Sequence, residues 1–87
     1  MYHVYLLRSI KKPEMTYVGF TTKNVDARLI EHNARTTQTT AAYIPWKVEV
    51  IITFADKQKA EDFERYLKNG SGYVFAKRHF WSIPCSA

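Results

Sequence analysis

Five polar side chains occupy positions that are unusual in a purely structural protein, and together they could act on a phosphodiester. Tyr5 and Tyr17 lie in two neighbouring segments rich in aromatic and β-branched residues, so their hydroxyls could converge on one side of a hairpin. Arg28 and His32 are four residues apart, which places both on one face of a helix. Glu64 lies beside the apolar stripe of a later predicted helix.

Hydrolysis of a phosphodiester needs a base for the attacking water, positive charge for the phosphoryl oxygens and support for the leaving oxygen. Arginine offers a planar fork to two phosphate oxygens and keeps its charge. A tyrosine becomes a useful base only when a cation or metal lowers its pKa from about 10. The carboxylate of Glu64 is a hard oxygen ligand suited to Mg²⁺ or Mn²⁺, with waters and substrate oxygens completing the shell.

Each of these residues also has an ordinary structural interpretation. Strand tyrosines are usually packing residues with a solvated hydroxyl. An arginine and a histidine one turn apart are more often a solvated helix face than a site, and a lone glutamate is most often a surface carboxylate. Composition by itself therefore supports a basic domain of helices and strands that could bind nucleic acid.

The elements that must position these side chains follow the order β-β-α-β-α-α, which indicates an α+β domain with a small three-stranded sheet and flanking helices. The predicted strands cover residues 2–7, 16–21 and 47–54, and the predicted helices cover residues 25–33, 57–68 and 73–81. Asn24 and Asp56 are the predicted N-caps, residues 34–43 a predicted loop, and Gly70 and Gly72 the predicted end of the second helix. The third strand follows a helix, so its place in the sheet is not determined by the sequence.

Length and composition predict one domain over residues 1–87. A chain of this size has room for one core, and its 46% hydrophobic content is ample for it. The helical side chains singled out as core-facing or on the apolar stripe are Leu29, Ile30, Ala60, Phe63, Leu67, Val74, Phe75 and Phe80.

The charge of +5 is concentrated at the two ends of the chain. Residues 65–87 contain four basic side chains and no acidic one, and residues 1–25 contain four basic side chains and one acidic one. The segment between them, residues 26–64, is mildly acidic. That distribution suits a phosphate-binding rim around a carboxylate site, although many small proteins are basic for solubility alone. A single cysteine, Cys85, excludes an internal disulfide scaffold and a cysteine-built zinc site. No apolar run approaches a membrane span and the start lacks a signal peptide pattern, so we expect a cytosolic protein without membrane association.

The ordered blocks of the sequence resemble the GIY-YIG nuclease family, which includes homing endonucleases, some restriction enzymes and the incision subunit of bacterial nucleotide excision repair. His3-Val4-Tyr5 corresponds to the first signature tripeptide and Tyr17-Val18-Gly19 to the second. Arg28, His32, the Pro45-Trp46 pair and the helix from Ala60 to Lys68 complete the resemblance, which covers residues 2–80. Two positions depart from the pattern, since His3 replaces a glycine and Phe20 replaces a lysine that the repair enzymes use.

The resemblance implies a metal-dependent endonuclease that hydrolyses phosphodiester bonds in DNA, in the cytoplasm at the nucleoid and in repair or recombination. By this resemblance Tyr17 would position or deprotonate water, Tyr5 would orient the nucleophile or phosphate, and Arg28 would offset phosphoryl charge. His32 would shuttle a proton or contact phosphate, and Glu64 would hold one Mg²⁺ or Mn²⁺ ion. The side chains expected to contact the DNA backbone are Lys68, Asn69, Lys77 and Arg78.

Two further interpretations stay open at the level of the sequence. The first is a DNA-binding or accessory module that keeps the fold without turnover. The second is a protein-interaction domain, with Trp46 and Trp81 as exposed anchors of a homodimer. Sequence preference, the form of nucleic acid that is cut, the oligomeric state and a protein partner supplying specificity are not determined by the sequence.

Overall fold

A three-stranded antiparallel sheet forms the centre of the protein. The computed structural model describes residues 1–34 and 38–81. Its strands are β1 (Tyr2–Ser9), β2 (Thr16–Thr21) and β3 (Trp46–Phe54), in the spatial order β2-β1-β3. The third strand therefore pairs with β1 on the side opposite the hairpin, and β1 becomes the central strand. Its residues from Val4 to Ser9 are all buried, as expected for a strand covered on both faces.

Within residues 1–34 and 38–81 four helices flank the sheet, and the predicted α+β class is confirmed. They are α1 (Val25–Asn33), the single-turn α2 (Gln38–Ala41), α3 (Lys57–Lys68) and α4 (Gly70–His79). The predicted caps are confirmed, since the Asn24 side chain accepts from the Asp26 amide and the Asp56 side chain accepts from the Lys59 amide.

The alternation of side chains along β1 divides the core into two layers. Val4 and Leu6 point to one face, where α3 and α4 cover them with Ala60, Leu67 and Ala76. Tyr5 and Leu7 point to the other face. There they pack with Val25 of α1, with Trp46 and with the partly buried Tyr17 and Leu29. The catalytic candidates of the strands therefore share the α1 face of the sheet.

Helix α3 ends at Lys68 as predicted, and Gly70 lies just beyond it in the left-handed region, with φ of +51°. Helix α4 begins earlier than the sequence predicts, at Gly70. Gly72 lies inside α4, where a Cβ would overlap the backbone carbonyl of Tyr66. The second glycine thus serves the close contact between α3 and α4 and not a helix stop.

Several predicted core positions are wrong. Ile30 is 68% exposed and Val74 is 53% exposed, and Phe75 is also mainly at the surface. Their places in the core are taken by the polar His32 in α1 and by the small Gly72 and Ala76 in α4. Hydrophobicity alone misassigned these faces, because a hydrogen-bonded histidine and close helix contacts decide which side is buried.

The predicted loop at residues 34–43 contains the one-turn helix α2, whose place depends on contacts with β3. The indole Nε1 of Trp46 donates to the Thr40 carbonyl at 2.8 Å. The Asn33 side chain also bonds to the backbone of Trp46. Its Oδ1 accepts from the Trp46 amide at 2.6 Å, and its Nδ2 donates to the Trp46 carbonyl at 3.2 Å. Trp46 and Trp81 are both 4% exposed, so neither is the exposed anchor that a protein-interaction domain would require.

Arg8 is a buried charged residue of β1 that hydrogen-bonds to three other parts of the chain. Its guanidinium donates to the Glu49 carboxylate of β3 at 3.2 Å, to the Pro13 carbonyl at 2.6 Å and to the Trp81 carbonyl. The paired and hydrogen-bonded arrangement offsets the cost of burying the charge. Arg8 therefore joins the hairpin turn, β3 and the end of α4.

Among the described residues, no helix has the length and apolar character needed to cross a membrane.

We predict that Gly19→Ala destabilises the protein by about 1–3 kcal/mol, because a methyl group there would overlap the ring of Tyr5 on the paired strand. Urea denaturation measures the loss. The control is the same substitution in a Tyr5→Ala background, where the ring is absent and the added methyl should cost much less. An equal loss in both backgrounds would contradict the close approach of Tyr5 to Gly19.

Candidate active site

A hydrogen-bonded row of buried side chains connects the centre of the sheet to α1 and α2. The Tyr5 hydroxyl lies 3.0 Å from Nε2 of His32, and Nδ1 of His32 lies 2.9 Å from Oγ1 of Thr40. All three side chains are essentially inaccessible to solvent. Thr40 is a member of this site that the sequence did not reveal, since nothing distinguishes it from the neighbouring threonines.

Burial decides the ionisation state of the row. It raises the pKa of the Tyr5 phenol above its ordinary value of 10.0, although the Arg28 guanidinium opposes this shift. Burial also lowers the pKa of His32 below 6.5, and the positive charge of Arg28 lowers it further. A protonated phenol and a neutral imidazole follow at neutral pH. One ring nitrogen of the neutral imidazole therefore donates and the other accepts, and their partners are the hydroxyls of Tyr5 and Thr40.

His32 cannot contact a phosphate in this arrangement, which corrects one of its two expected roles. Its side chain is fully buried, and both ring nitrogens already take part in hydrogen bonds. The remaining role is to hold Tyr5, or to exchange a proton through the Tyr5 hydroxyl. The buried histidine thus acts behind the surface of the site.

Tyr17 is the accessible phenol of the pair. Its ring lies 5.0 Å from the ring of His32 and 6.4 Å from that of Tyr5, measured between centroids. It is only partly buried, and it lines a pocket of about 180 Å³. The two tyrosines are therefore brought together as the sequence predicts, but only Tyr17 faces a space that a substrate could enter.

Glu64 of α3 is linked to Tyr17 through the side chain of Lys68. Helix α3 covers the Val4 face of the sheet, but β2 is an edge strand, so side chains of α3 extend past it. The ammonium of Lys68 lies 2.9 Å from the Glu64 carboxylate and 5.8 Å from the centroid of the Tyr17 ring. Lys68 is thus part of the candidate site and not only of its rim.

Arg28 lies between Tyr5 and an acidic partner. Its guanidinium reaches the Tyr5 hydroxyl, and both that contact and the ion pair with Glu31 raise its pKa. Lys23 approaches the same carboxylate at 3.9 Å. Glu31 is a site residue not predicted from the sequence, although its position three residues after Arg28 on a helix is a signal for such a pair.

The remaining candidates for DNA contact lie in the last turn of α4 and at its junction with α3. The ammonium of Lys77 lies 5.7 Å from the centroid of the Tyr73 ring, and Arg78 is exposed in the last turn of α4. Asn69 behaves differently, because its amide donates to the Arg65 carbonyl at 3.0 Å at the end of α3. That bond supports a structural role for Asn69 at the helix junction.

The donor set at Glu64 is compatible with a hard divalent cation that keeps most of its own water. Within residues 1–34 and 38–81, no three His, Cys, Asp or Glu side chains come together as a metal cluster. The Glu64 side chain is 20% exposed and already faces one cation, the Lys68 ammonium. One carboxylate with water and phosphate oxygens is the usual way that Mg²⁺ is held at phosphoryl sites.

We predict that the protein loses stability as the pH falls below about 6.5, because the buried His32 stays neutral in the folded state while the unfolded chain takes up the proton. The direction follows from the lowered pKa, since the unfolded state binds more protons below the ordinary value. Each unit of lowering contributes about 1.4 kcal/mol. Urea denaturation between pH 7.5 and pH 5 measures the slope, and His32→Gln should flatten it. An unchanged slope in His32→Gln would show that other groups are responsible.

Comparison with known proteins agrees with the geometry. The sequence matches the model of the GIY-YIG catalytic domain over residues 1–76. A search of curated proteins gives no significant match. The matched range contains both strands of the hairpin, helix α1 and the Glu64 helix. The resemblance stated from the sequence is therefore confirmed, and the chain belongs to the GIY-YIG family of nuclease domains.

Proposed function

We propose that this protein is an endonuclease that hydrolyses phosphodiester bonds in DNA and depends on one Mg²⁺ or Mn²⁺ ion. The observation that supports this best is the meeting of Tyr17 with the Glu64–Lys68 pair at the β2 edge, beside the Arg28–Tyr5 contact. The carboxylate of α3 is linked to the phenol of β2 through Lys68, and the guanidinium of α1 is linked to the neighbouring phenol of β1. Such convergence is what phosphodiester hydrolysis needs and what packing alone does not require.

Tyr17 is the residue of this chain that is best placed to position the attacking water or accept its proton. Its ring borders an open pocket, while Tyr5 is buried and protonated. The Lys68 ammonium lies 5.8 Å from the centroid of the Tyr17 ring, so a positive charge stands beside the phenol that borders the pocket. Tyr5 and His32 hold this wall of the site through their mutual hydrogen bond.

Arg28 offsets the negative charge on the phosphoryl oxygens. Its side chain is 26% exposed, so it is accessible to a ligand. Glu31 and the Tyr5 hydroxyl fix its orientation. Because the guanidinium is already oriented, it loses little conformational entropy when a phosphate binds. This is the condition for effective electrostatic stabilisation.

Glu64 would hold the divalent cation, and the Lys68 ammonium would leave the carboxylate when the cation binds. The metal would supply positive charge at the phosphate and at the leaving oxygen. The displaced Lys68, with Lys77 and Arg78 on α4, would contact the DNA backbone, since all three are exposed lysine or arginine side chains. We also propose that the protein acts in DNA repair or recombination in the cytoplasm. A protein partner would supply its specificity.

A second candidate function is a DNA-binding module without turnover. The observation that favours it is the Glu64–Lys68 ion pair, which satisfies the carboxylate without a metal. The two functions differ in one measurable respect. The binding module would retain salt-dependent DNA affinity and show no cutting with Mg²⁺ or Mn²⁺.

We predict that Glu64→Gln reduces DNA cleavage on the order of 100-fold or more, because the neutral amide holds a divalent cation poorly. The assay uses labelled branched, single-stranded and duplex DNA with Mn²⁺. The control is Glu61→Gln, one turn earlier on α3, which should cut at the wild-type rate. Equal cutting by Glu64→Gln and the wild type would remove the metal role of Glu64.

We predict that Tyr17→Phe lowers kcat on the order of 100-fold with little change in KM, because the hydroxyl acts on water in the transition state and not on substrate binding. Single-turnover cleavage over a range of DNA concentrations separates the two constants. Tyr43→Phe is the matched control, because this partly buried tyrosine packs in the same layer beside Trp46. A rise in KM at constant kcat would assign Tyr17 to binding only.

A further inference from the structure

The pocket beside Tyr17 lies between the edge strand β2 and the two C-terminal helices. It has a volume of about 180 Å³. Its lining residues are Thr16, Tyr17, Val18, Leu67, Lys68, Tyr73 and Trp81. Apolar and aromatic groups make up most of this wall, and one of them is the phenol that borders the proposed reaction. The pocket therefore adjoins the place where a phosphate would be cut.

Two tyrosine rings at this pocket each have a lysine ammonium above them. Lys68 lies over Tyr17 at 5.8 Å, and Lys77 lies over Tyr73 at 5.7 Å. Tyr73 is 44% exposed, which leaves part of its ring free for another flat group. Aromatic faces with ammonium groups beside them are the combination that binds unpaired nucleotides, because bases stack on the rings and the cations take the phosphates.

We propose that this pocket receives an unpaired nucleobase next to the cleaved phosphate, so that the substrate carries single-stranded nucleotides at the cut. The inference rests on the proposed nuclease function and specifies its substrate class. A base stacks against the ring of Tyr73 and contacts the apolar wall formed by Leu67 and Val18. Its neighbouring phosphates attract Lys68 and Lys77 away from the tyrosine rings.

A fully paired duplex fits this pocket poorly. Its bases are stacked on one another and paired, so one of them must leave the helix before it can contact Tyr73. Extruding a base from a duplex costs free energy, and the cost is smallest when the base is already unpaired. Flaps, branches and single strands therefore enter without this penalty, whereas the backbone contacts of Lys77 and Arg78 serve all forms of DNA equally.

The test measures binding without cleavage. Fluorescence anisotropy in EDTA compares a labelled oligothymidylate, an abasic oligonucleotide of the same length and a blunt duplex. The variant is Tyr73→Ala, and Tyr73→Phe restores the ring without the hydroxyl. The control is Val74→Ala, because Val74 is the next residue on α4 and is 53% exposed. Thermal unfolding confirms that each variant is folded.

We expect Tyr73→Ala to weaken oligothymidylate binding about 5- to 100-fold, while Tyr73→Phe and Val74→Ala bind like the wild type. Affinity for the abasic oligonucleotide and for the duplex should stay unchanged in all variants. Equal weakening for all three ligands, or no weakening for oligothymidylate, would overturn the base pocket. The proposed nuclease would survive that result, because cleavage that depends on Glu64 is measured separately with metal present.

Discussion

The candidate site depends on the close approach of the Tyr5 ring to Gly19 and on the hydrogen bond from Tyr5 to His32. The Tyr5 ring lies over Gly19 of the paired strand β2, where a Cβ atom would overlap it. The position of the ring and the pairing of the hairpin therefore depend on each other. The hydroxyl then reaches Nε2 of His32, whose other nitrogen meets Thr40. A buried polar row of this kind is stable only when every member is satisfied, which makes it a rigid support for what lies in front of it.

The sheet places two chemically equal tyrosines in different surroundings. Tyr5 is enclosed on the α1 face of the central strand, where burial favours its protonated form. Tyr17 lies on the edge strand, in contact with the same histidine but also beside an open pocket. The sheet order β2-β1-β3 produces this difference, because it covers the first tyrosine on both sides and leaves the second at the rim.

The edge strand β2 packs against both layers of the protein, with Val18 in one cluster and Tyr17 in the other. Helix α1 holds Arg28 beside Tyr5 on one face, and α3 holds Glu64 and Lys68 on the other. Lys68 is four residues from Glu64 and joins its carboxylate to the Tyr17 ring. In the free protein this lysine places a positive charge where a metal ion and a phosphate are proposed to bind. A phosphate would be attracted to this ammonium, whereas a metal ion at Glu64 would displace it from the carboxylate.

The sequence by itself determined the order of elements, the two helix caps and the family, because these depend on local patterns and on ordered motifs. It also named Tyr5, Tyr17, Arg28, His32 and Glu64, since their residue types and spacing are local information. Local patterns could not place β3 beside β1, because strand pairing across a helix depends on contacts distant in sequence.

Only the tertiary structure decided which side of each helix is buried and which candidate is exposed. It buried His32 and exposed Ile30, since the imidazole is the hydrogen-bond partner of the buried Tyr5 and Thr40 hydroxyls and an isoleucine there could not bond to them. It also moved Lys68 from the rim into the site, because the reach of a side chain past an edge strand depends on how two layers pack and not on spacing along one chain.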